Sequence, residues 1–437
     1  MSTFRRTAKV LLATTAVALT IPFAASFAQR AGGAAPQVDI VATTPQPPPP
    51  DMPALTPQEI LNRQSRGAAA RGSQPAPNYN ISRRSDFDKQ LPNPYVPNQT
   101  WYTMPKGRFL GGISGIMVDN DGRSIWVAER CGGTGNCWAS PDVDPIIKFG
   151  PDGKVVTTFG KGLISYPHGL WIDADNNVWV TDTVSNVMAT AGGATPPKPA
   201  IAAGAQVLKF SPTGRLLLRL GTPGIYGNDE AHLSQPSDVV TDRQGNIYVA
   251  DSHDSPPTNS RIVKYDRTGK FLKAWDSCHP SYARQIDCSH SIEIDTQGRI
   301  FVANRANNQI DIFDQEGKRL AVWPHFGKPT GLYIDRNDIL YVADSQTSLA
   351  SGFVKGTHIG SARTGIVTAF IPDPLGNAAP WSGPGTLSPE GVTADRDGNI
   401  YTASVRPQGI TRWSITTNTR PWPAPAGRGG RGGGDGE

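Results

Sequence analysis

His168, His290 and Glu390 occupy one equivalent point of a recurring short turn, the middle of Pro167-His168-Gly169, Ser289-His290-Ser291 and Pro389-Glu390-Gly391. The turn recurs as Ile113-Ser114-Gly115, Pro236-Ser237-Asp238 and Pro329-Thr330-Gly331, so its middle positions read Ser114, His168, Ser237, His290, Thr330, Glu390. Arranged in a circle, the two imidazoles and the carboxylate alternate with small hydroxyls. Three nitrogen or oxygen donors with a fourth position left open are what a catalytic zinc requires. Polar side chains that line a channel and bind water would show the same spacing, and spacing alone leaves both readings standing. His232, His279, His325 and His358 fall outside these turns and read as surface or structural residues.

The elements that must position these residues are strands. Each turn leads into a short apolar run, a break at Asp, Asn or Gly, and a second run of alternating apolar residues, as in Tyr166 to Asp182. That is the pattern of a β-hairpin. The second strands fall at Ile125 to Ala128, Val178 to Thr181, Ile247 to Ala250, Phe301 to Ala303, Leu340 to Ala343 and Ile400 to Ala403. Third strands follow most of them, at Pro145 to Phe149, Val207 to Phe210, Arg261 to Tyr265 and Gln309 to Phe313, and a fourth is clear at Lys270 to Trp275. Four strands per copy, repeated every ~40 to 60 residues, predict blades stacked around an axis. The expected fold is all-β, a six-bladed β-propeller over residues 94–423, with its extra length in loops at Ala189 to Gly204, Ser255 to Thr258 and Thr347 to Thr364.

The flanks differ in composition. Arg5, Arg6 and Lys9 precede an apolar run from Val10 to Phe27 that is broken by Pro22 and closed by Ser26-Phe27-Ala28, which reads as a signal peptide over residues 1–28. Residues 29–93, with Pro47-Pro48-Pro49-Pro50, and the Gly/Arg tail 424–437 lack the apolar content to build a core and are expected to be disordered. Four cysteines fall in two close pairs, Cys131 with Cys137 and Cys278 with Cys288, which predicts two local disulfides and agrees with a periplasmic or secreted protein. A net charge of +5 without a basic stripe in the repeats argues against nucleic-acid binding. No membrane insertion is expected once the leader is removed, and the partner is expected to be a small-molecule or peptide substrate of a monomer.

The blade text Asp-x-x-Gly-Asn-Ile-Tyr-Val-Ala-Asp at Asp242 to Asp251 resembles the NHL repeat, which predicts fold and leaves chemistry undecided. Tyr166 to Asp182, Asn259-Ser260-Arg261-Ile262-Val263, Ser289-His290-Ser291-Ile292 and Phe301-Val302-Ala303-Asn304-Arg305 together look like the lyase domain of peptidylglycine α-amidating enzymes. That family splits a peptidyl-α-hydroxyglycine into a peptide amide and glyoxylate. The resemblance covers blades two to four well and the others loosely.

It implies a zinc held from alternate blades by three histidines, of which two map onto His168 and His290 and the third onto Glu390, a departure from the family. The family's calcium carboxylate falls on Gly391, which speaks against calcium. Two family arginines around the substrate correspond to Arg305 and, more loosely, Arg130; the family's tyrosine base corresponds to His253, whose ordinary pKa suits proton transfer near neutrality. The expected function is therefore a zinc-dependent cleavage of an N-acyl carbinolamine. The alternatives are a non-catalytic NHL propeller that binds a peptide, glycan or protein, and a lactonase-like hydrolase, against which the histidines argue. No monooxygenase domain is expected before the propeller, so the hydroxylated substrate would come from elsewhere.

Overall fold

The computed structural model describes residues 88–132, 136–184, 202–253, 258–347, 353–376, 386–387 and 389–416. The expected leader, most of the linker, the tail and most of the two loops at 189–204 and 255–258 lie outside the described residues. The described chain forms six four-stranded antiparallel sheets, the blades of a β-propeller. The innermost strands are Ile113–Val118, Pro167–Ile172, Pro236–Thr241, Ile292–Ile294, Gly331–Ile334 and Gly391–Ala394.

The repeat text explains the blade. In five of the six blades the Asp of the Asp-x-x-Gly turn accepts backbone N–H groups two and four residues on, as Asp242 does from Gln244 and Asn246 at 2.9 and 2.8 Å. The fourth residue of the turn takes a left-handed conformation, with φ of +74° at Gly122, +63° at Asn176, +85° at Gly245, +78° at Gly298, +61° at Asp338 and +83° at Gly398. Glycine, asparagine and aspartate are the residues that tolerate it. The second strand then carries one aromatic per blade, Trp126, Trp179, Tyr248, Phe301, Tyr341 and Tyr401, all buried. Four of these return their polar tip to the turn carboxylate: Trp126 Nε1 to Asp119 at 2.7 Å, Trp179 Nε1 to Asp173 at 3.0 Å, Tyr248 OH to Asp242 at 3.1 Å and Tyr401 OH to Asp395 at 3.0 Å. Turn and core are thus one hydrogen-bonded unit.

Two features depart from the sequence expectation. The segment Thr347 to Thr364, read as loop, contains the third strand of blade five, Gly356–Ser361, paired with both neighbours. Its glycines, threonine and buried His358 carry no apolar alternation, so pairing rather than pattern makes it a strand. The outermost strand of blade six comes from the other end of the chain: Tyr95–Asn98 pairs with Gly409–Ile415 and closes the circle. Asp88 to Asn93, assigned by composition to the linker, packs against blade five. Asp88 Oδ1 lies 3.2 Å from His358 Nε2, and Phe370 N donates to Pro92 O at 3.1 Å.

Candidate active site

The six opening-turn residues all line one axial cavity and are all buried. Neighbouring turns are stitched together at this level. His168 Nδ1 lies 2.7 Å from the carbonyl of Ser237, Ser237 Oγ donates to Ser289 O at 2.7 Å, His290 Nδ1 lies 2.7 Å from Thr330 O, and Thr330 Oγ1 donates to Pro389 O at 3.0 Å. Glycine follows the ring residue where the blades crowd the axis: a Cβ on Gly169 would stand 2.3 Å from Asp238 Oδ1, and one on Gly391 2.3 Å from Ser114 O. No carboxylate fits at Gly391.

Carboxylates at the ends of the second strands hold the opening turns in place. Asp182 accepts from Ser165 N at 3.0 Å and Tyr166 N at 2.7 Å, just ahead of His168. Asp251 serves Ser234 N and Gln235 N on blade three, and Asp344 serves Lys328 N on blade five. On blade two the closing Asp182 therefore places the turn that carries His168, whereas the blades of His290 and Glu390 close on Asn304 and Ser404.

Three imidazoles converge on the axis. The ligand nitrogens of His168, His253 and His290 all lie within 4.8 Å of one another, and His168 Nε2 is 3.3 Å from His253 Nε2. Because Nδ1 of His168 and of His290 can only donate to the carbonyl it faces, the Nε2 lone pair of each is turned inward. His290 Nε2 has no hydrogen-bond partner among the described residues, and Glu390 Oε1 faces it at 3.4 Å. Lone pairs brought this close repel unless His253 Nε2–H donates to His168 Nε2 or a cation joins them. Zinc–nitrogen distances place tetrahedral ligands about 3.3 Å apart, so the donor set fits zinc. Each Nδ1–H···O=C bond is the kind of outer contact that orients a metal-binding histidine.

Both ring histidines stay neutral. Burial, then the charges of His253, Arg130 and Arg305, hold His168 well below its ordinary pKa; burial, then Arg305, His168 and His253, do the same for His290. Neutral imidazole is the metal-binding form.

The sequence-predicted residues come together with one change of neighbours. His253, expected as the base, lies among the imidazoles, and Glu390, expected as the third ligand, presents Oε1 to the inward Nε2 of His290 at 3.4 Å. Arg305 is buried, with Nε 2.7 Å from Asp287 Oδ2 and Nη1 3.5 Å from Glu390 Oε1. Arg130 is also buried, its guanidinium 3.9 Å over the ring of Tyr166. The disulfides Cys131–Cys137 and Cys278–Cys288 are both formed. Each braces one arginine: Cys131 follows Arg130, and Cys288 follows Asp287, which holds Arg305 from a left-handed backbone at φ +56°.

Two residues of the site were not singled out from the sequence. Ser345, which donates to Glu390 Oε2 at 3.1 Å, follows the second strand of blade five just as Arg130 and Arg305 follow theirs, so the repeat register contained it. Tyr166 stands directly before the Pro167-His168 turn, but nothing in the sequence couples it to Arg130.

This is the site of a histidine-lined propeller with two guanidiniums at a candidate metal centre. No protein-family model matches the chain. It is 28% identical over 249 residues to a probable peptidyl-alpha-hydroxyglycine alpha-amidating lyase of Caenorhabditis elegans, covering 52% of this chain and 61% of that protein. It is 28% identical over 271 residues to peptidyl-glycine alpha-amidating monooxygenase A of Xenopus laevis, covering 60% of this chain and 26% of the frog protein. Mouse NHL repeat-containing protein 3 is 25% identical over 225 residues, 49% of this chain and 56% of that one. The chain thus spans less than two thirds of each of these relatives. It resembles both the α-amidating lyases and the NHL-repeat propellers.

Proposed function

We propose that the protein is a metal-dependent lyase that splits an N-acyl carbinolamine, such as a peptidyl-α-hydroxyglycine, into an amide and glyoxylate. The convergence of His168, His253 and His290 carries the proposal, and the similarity to α-amidating lyases supports it. These three residues would hold zinc. When bound, zinc supplies Lewis acidity that favours loss of the substrate's hydroxyl proton.

The chain's own residues do the rest. Nδ1–H bonds to Ser237 O and Thr330 O fix two imidazoles in the neutral tautomer. Glu390, the carboxylate that meets this cluster, accepts the hydroxyl proton and returns it to the amide nitrogen. The hydroxyl C–O becomes C=O, the C–N bond breaks, and its electron pair goes to nitrogen, so atoms and charge balance. Arg130 and Arg305 supply positive charge for the substrate's carboxylate. Site burial strengthens each of these interactions. We also assign the protein to the periplasm or the secreted fraction, in keeping with its two disulfides and the lack of free cysteine among the described residues.

The test is glyoxylate release from a small N-acyl-α-hydroxyglycine by the purified protein, before chelation, after it, and after zinc is returned. Release that chelation stops and zinc restores is the expected result. A zinc-loaded protein that releases none sinks the lyase reading. The second reading is a non-catalytic NHL propeller, to which the likeness to NHL repeat-containing protein 3 directs attention.

A further inference from the structure

Each second strand ends beside the opening turn of its own blade, as Asp182 does at Pro167 and Asp251 at Pro236, so the residue that follows it stands at the mouth of the axial cavity. On five blades that residue is polar and buried: Arg130, Thr183, Ser252, Arg305 and Ser345. On blade six it is Val405, apolar and partly exposed. This inverts the usual distribution, in which apolar side chains are covered and polar ones face water.

A second open apolar residue lies close by. Phe109 begins the segment Phe109-Leu110-Gly111-Gly112 that leads into the inner strand of blade one. At 74% exposure it is the most open large apolar side chain among the described residues. Its backbone is nevertheless pinned. Arg108 bonds both the Phe109 carbonyl and Glu129, Gly111 N donates to Glu129 Oε2 at 2.6 Å, and Arg130 N donates to Gly112 O at 3.0 Å. A Cβ on Gly112 would stand 3.1 Å from Val405 Cγ1, and one on Gly111 2.7 Å from Arg130 O. The two glycines thus make a ribbon bare of side chains, with Arg130 on one side, Val405 on the other and Phe109 at the end away from the axis.

Apolar surface held rigidly in water beside a site gains free energy when a ligand covers it, and little ordering has to be paid for first. In an N-acyl carbinolamine the carboxylate and the acylamino group leave the hydroxyl carbon in different directions. With the carboxylate and hydroxyl drawn to the guanidiniums and imidazoles, the acyl group points outward. We propose that Val405 and Phe109, with the Gly111-Gly112 ribbon between them, form the subsite for the substrate's N-acyl group and select an apolar one. What lies at the metal rests on the lyase reading above; the apolar subsite does not.

The experiment measures kcat/KM for glyoxylate release from N-benzoyl- and N-acetyl-α-hydroxyglycine. Alongside it, the zinc-loaded protein is titrated calorimetrically with the uncleavable analogues hippurate and acetylglycine. The wild type is expected to prefer the benzoyl compound by about tenfold or more in both assays. Phe109→Ser and Val405→Thr each lower that ratio several-fold with zinc content retained; the second keeps the branched shape and adds only a hydroxyl. Phe109 is exposed, so its variant is expected to fold, which circular dichroism checks. Leu272→Ser, which removes an apolar side chain 46% exposed on the outer strand of blade three, keeps the ratio and serves as the control.

Glyoxylate release with equal kcat/KM for the two substrates, or with a ratio that neither Phe109→Ser nor Val405→Thr changes, overturns the subsite and leaves the lyase standing. A ratio lost equally in Leu272→Ser overturns it too, since any open apolar residue would then serve. If the zinc-loaded protein releases no glyoxylate yet prefers hippurate through Phe109 and Val405, the subsite stands and the lyase reading falls.

Discussion

His253 and Glu390 are where the residue scale matters most, because they differ in what they present to the axis. An imidazole nitrogen of His253 lies 3.3 Å from His168 Nε2, while a carboxylate tied to Ser345 and Arg305 stands 3.4 Å from His290 Nε2. The two candidates for third ligand can be separated by metal analysis. His253→Ala is expected to lose zinc as fully as His168→Ala, with affinity down by about 100-fold or more, whereas Glu390→Gln retains zinc and loses turnover. Zinc retained in His253→Ala and lost in Glu390→Gln would return the glutamate to the ligand set.

At the scale of elements, the closing Asp of a blade links strand to site. Asp182 is fully buried and accepts from Ser165 N, Tyr166 N, Gly204 N and Gln206 Nε2, the last at 2.8 Å. Asp182→Ala strands these donors, which should cost about 3 kcal/mol or more, and it releases the turn that carries His168. Thermal unfolding and zinc affinity should therefore fall together; a stability loss with unchanged zinc affinity would show that the turn does not depend on this carboxylate. A second element, the inner strand Ile292–Ile294 of blade four, buries Glu293 in the channel wall. Burial, with Asp238 adding to it, holds the Glu293 carboxyl well above its ordinary pKa. The folded chain then keeps a proton that the unfolded chain releases near pH 4, so this group's contribution is whole below that pH and shrinks as pH rises. Glu293→Gln should match the wild type at pH 4 and melt higher at pH 8, by about 2 °C or more. Equal melting temperatures at both pH values would refute the shift.

At the scale of the whole molecule, closure depends on eleven or so residues before the first blade. Tyr95–Asn98 supplies the outer strand of blade six, and Asp88 to Asn93 lies along blade five. A chain beginning at Thr100 leaves Gly409–Ile415 as an open edge and is expected to aggregate or melt about 10 °C lower. Analytical sedimentation and calorimetry would show it; unchanged melting would mean that the circle closes without the seam. The exposed aliphatics Val156, Leu217, Leu272 and Leu320 on the outer strands of blades one to four show that these edges are apolar enough for such association.

Much of this was legible in the chain itself. The Asp-x-x-Gly turn, the aromatic two residues into the second strand and the closing Asp are short-range patterns, and each is satisfied within its own blade, so the sequence determined the blade, the number of blades and the ring containing His168, His290 and Glu390. The cysteine pairs are equally local. What tertiary structure decided involves contacts between blades or between distant segments. The approach of His253 to His168 spans 85 residues and the seam at Tyr95 to Ile415 spans the whole propeller. Gly356–Ser361 becomes a strand only because its neighbours pair with it, and Arg130 and Arg305 differ only in which acids the fold brings to them. Local patterns fix local hydrogen bonds, whereas metal geometry and charge balance depend on distances that exist only once six blades stand around one axis.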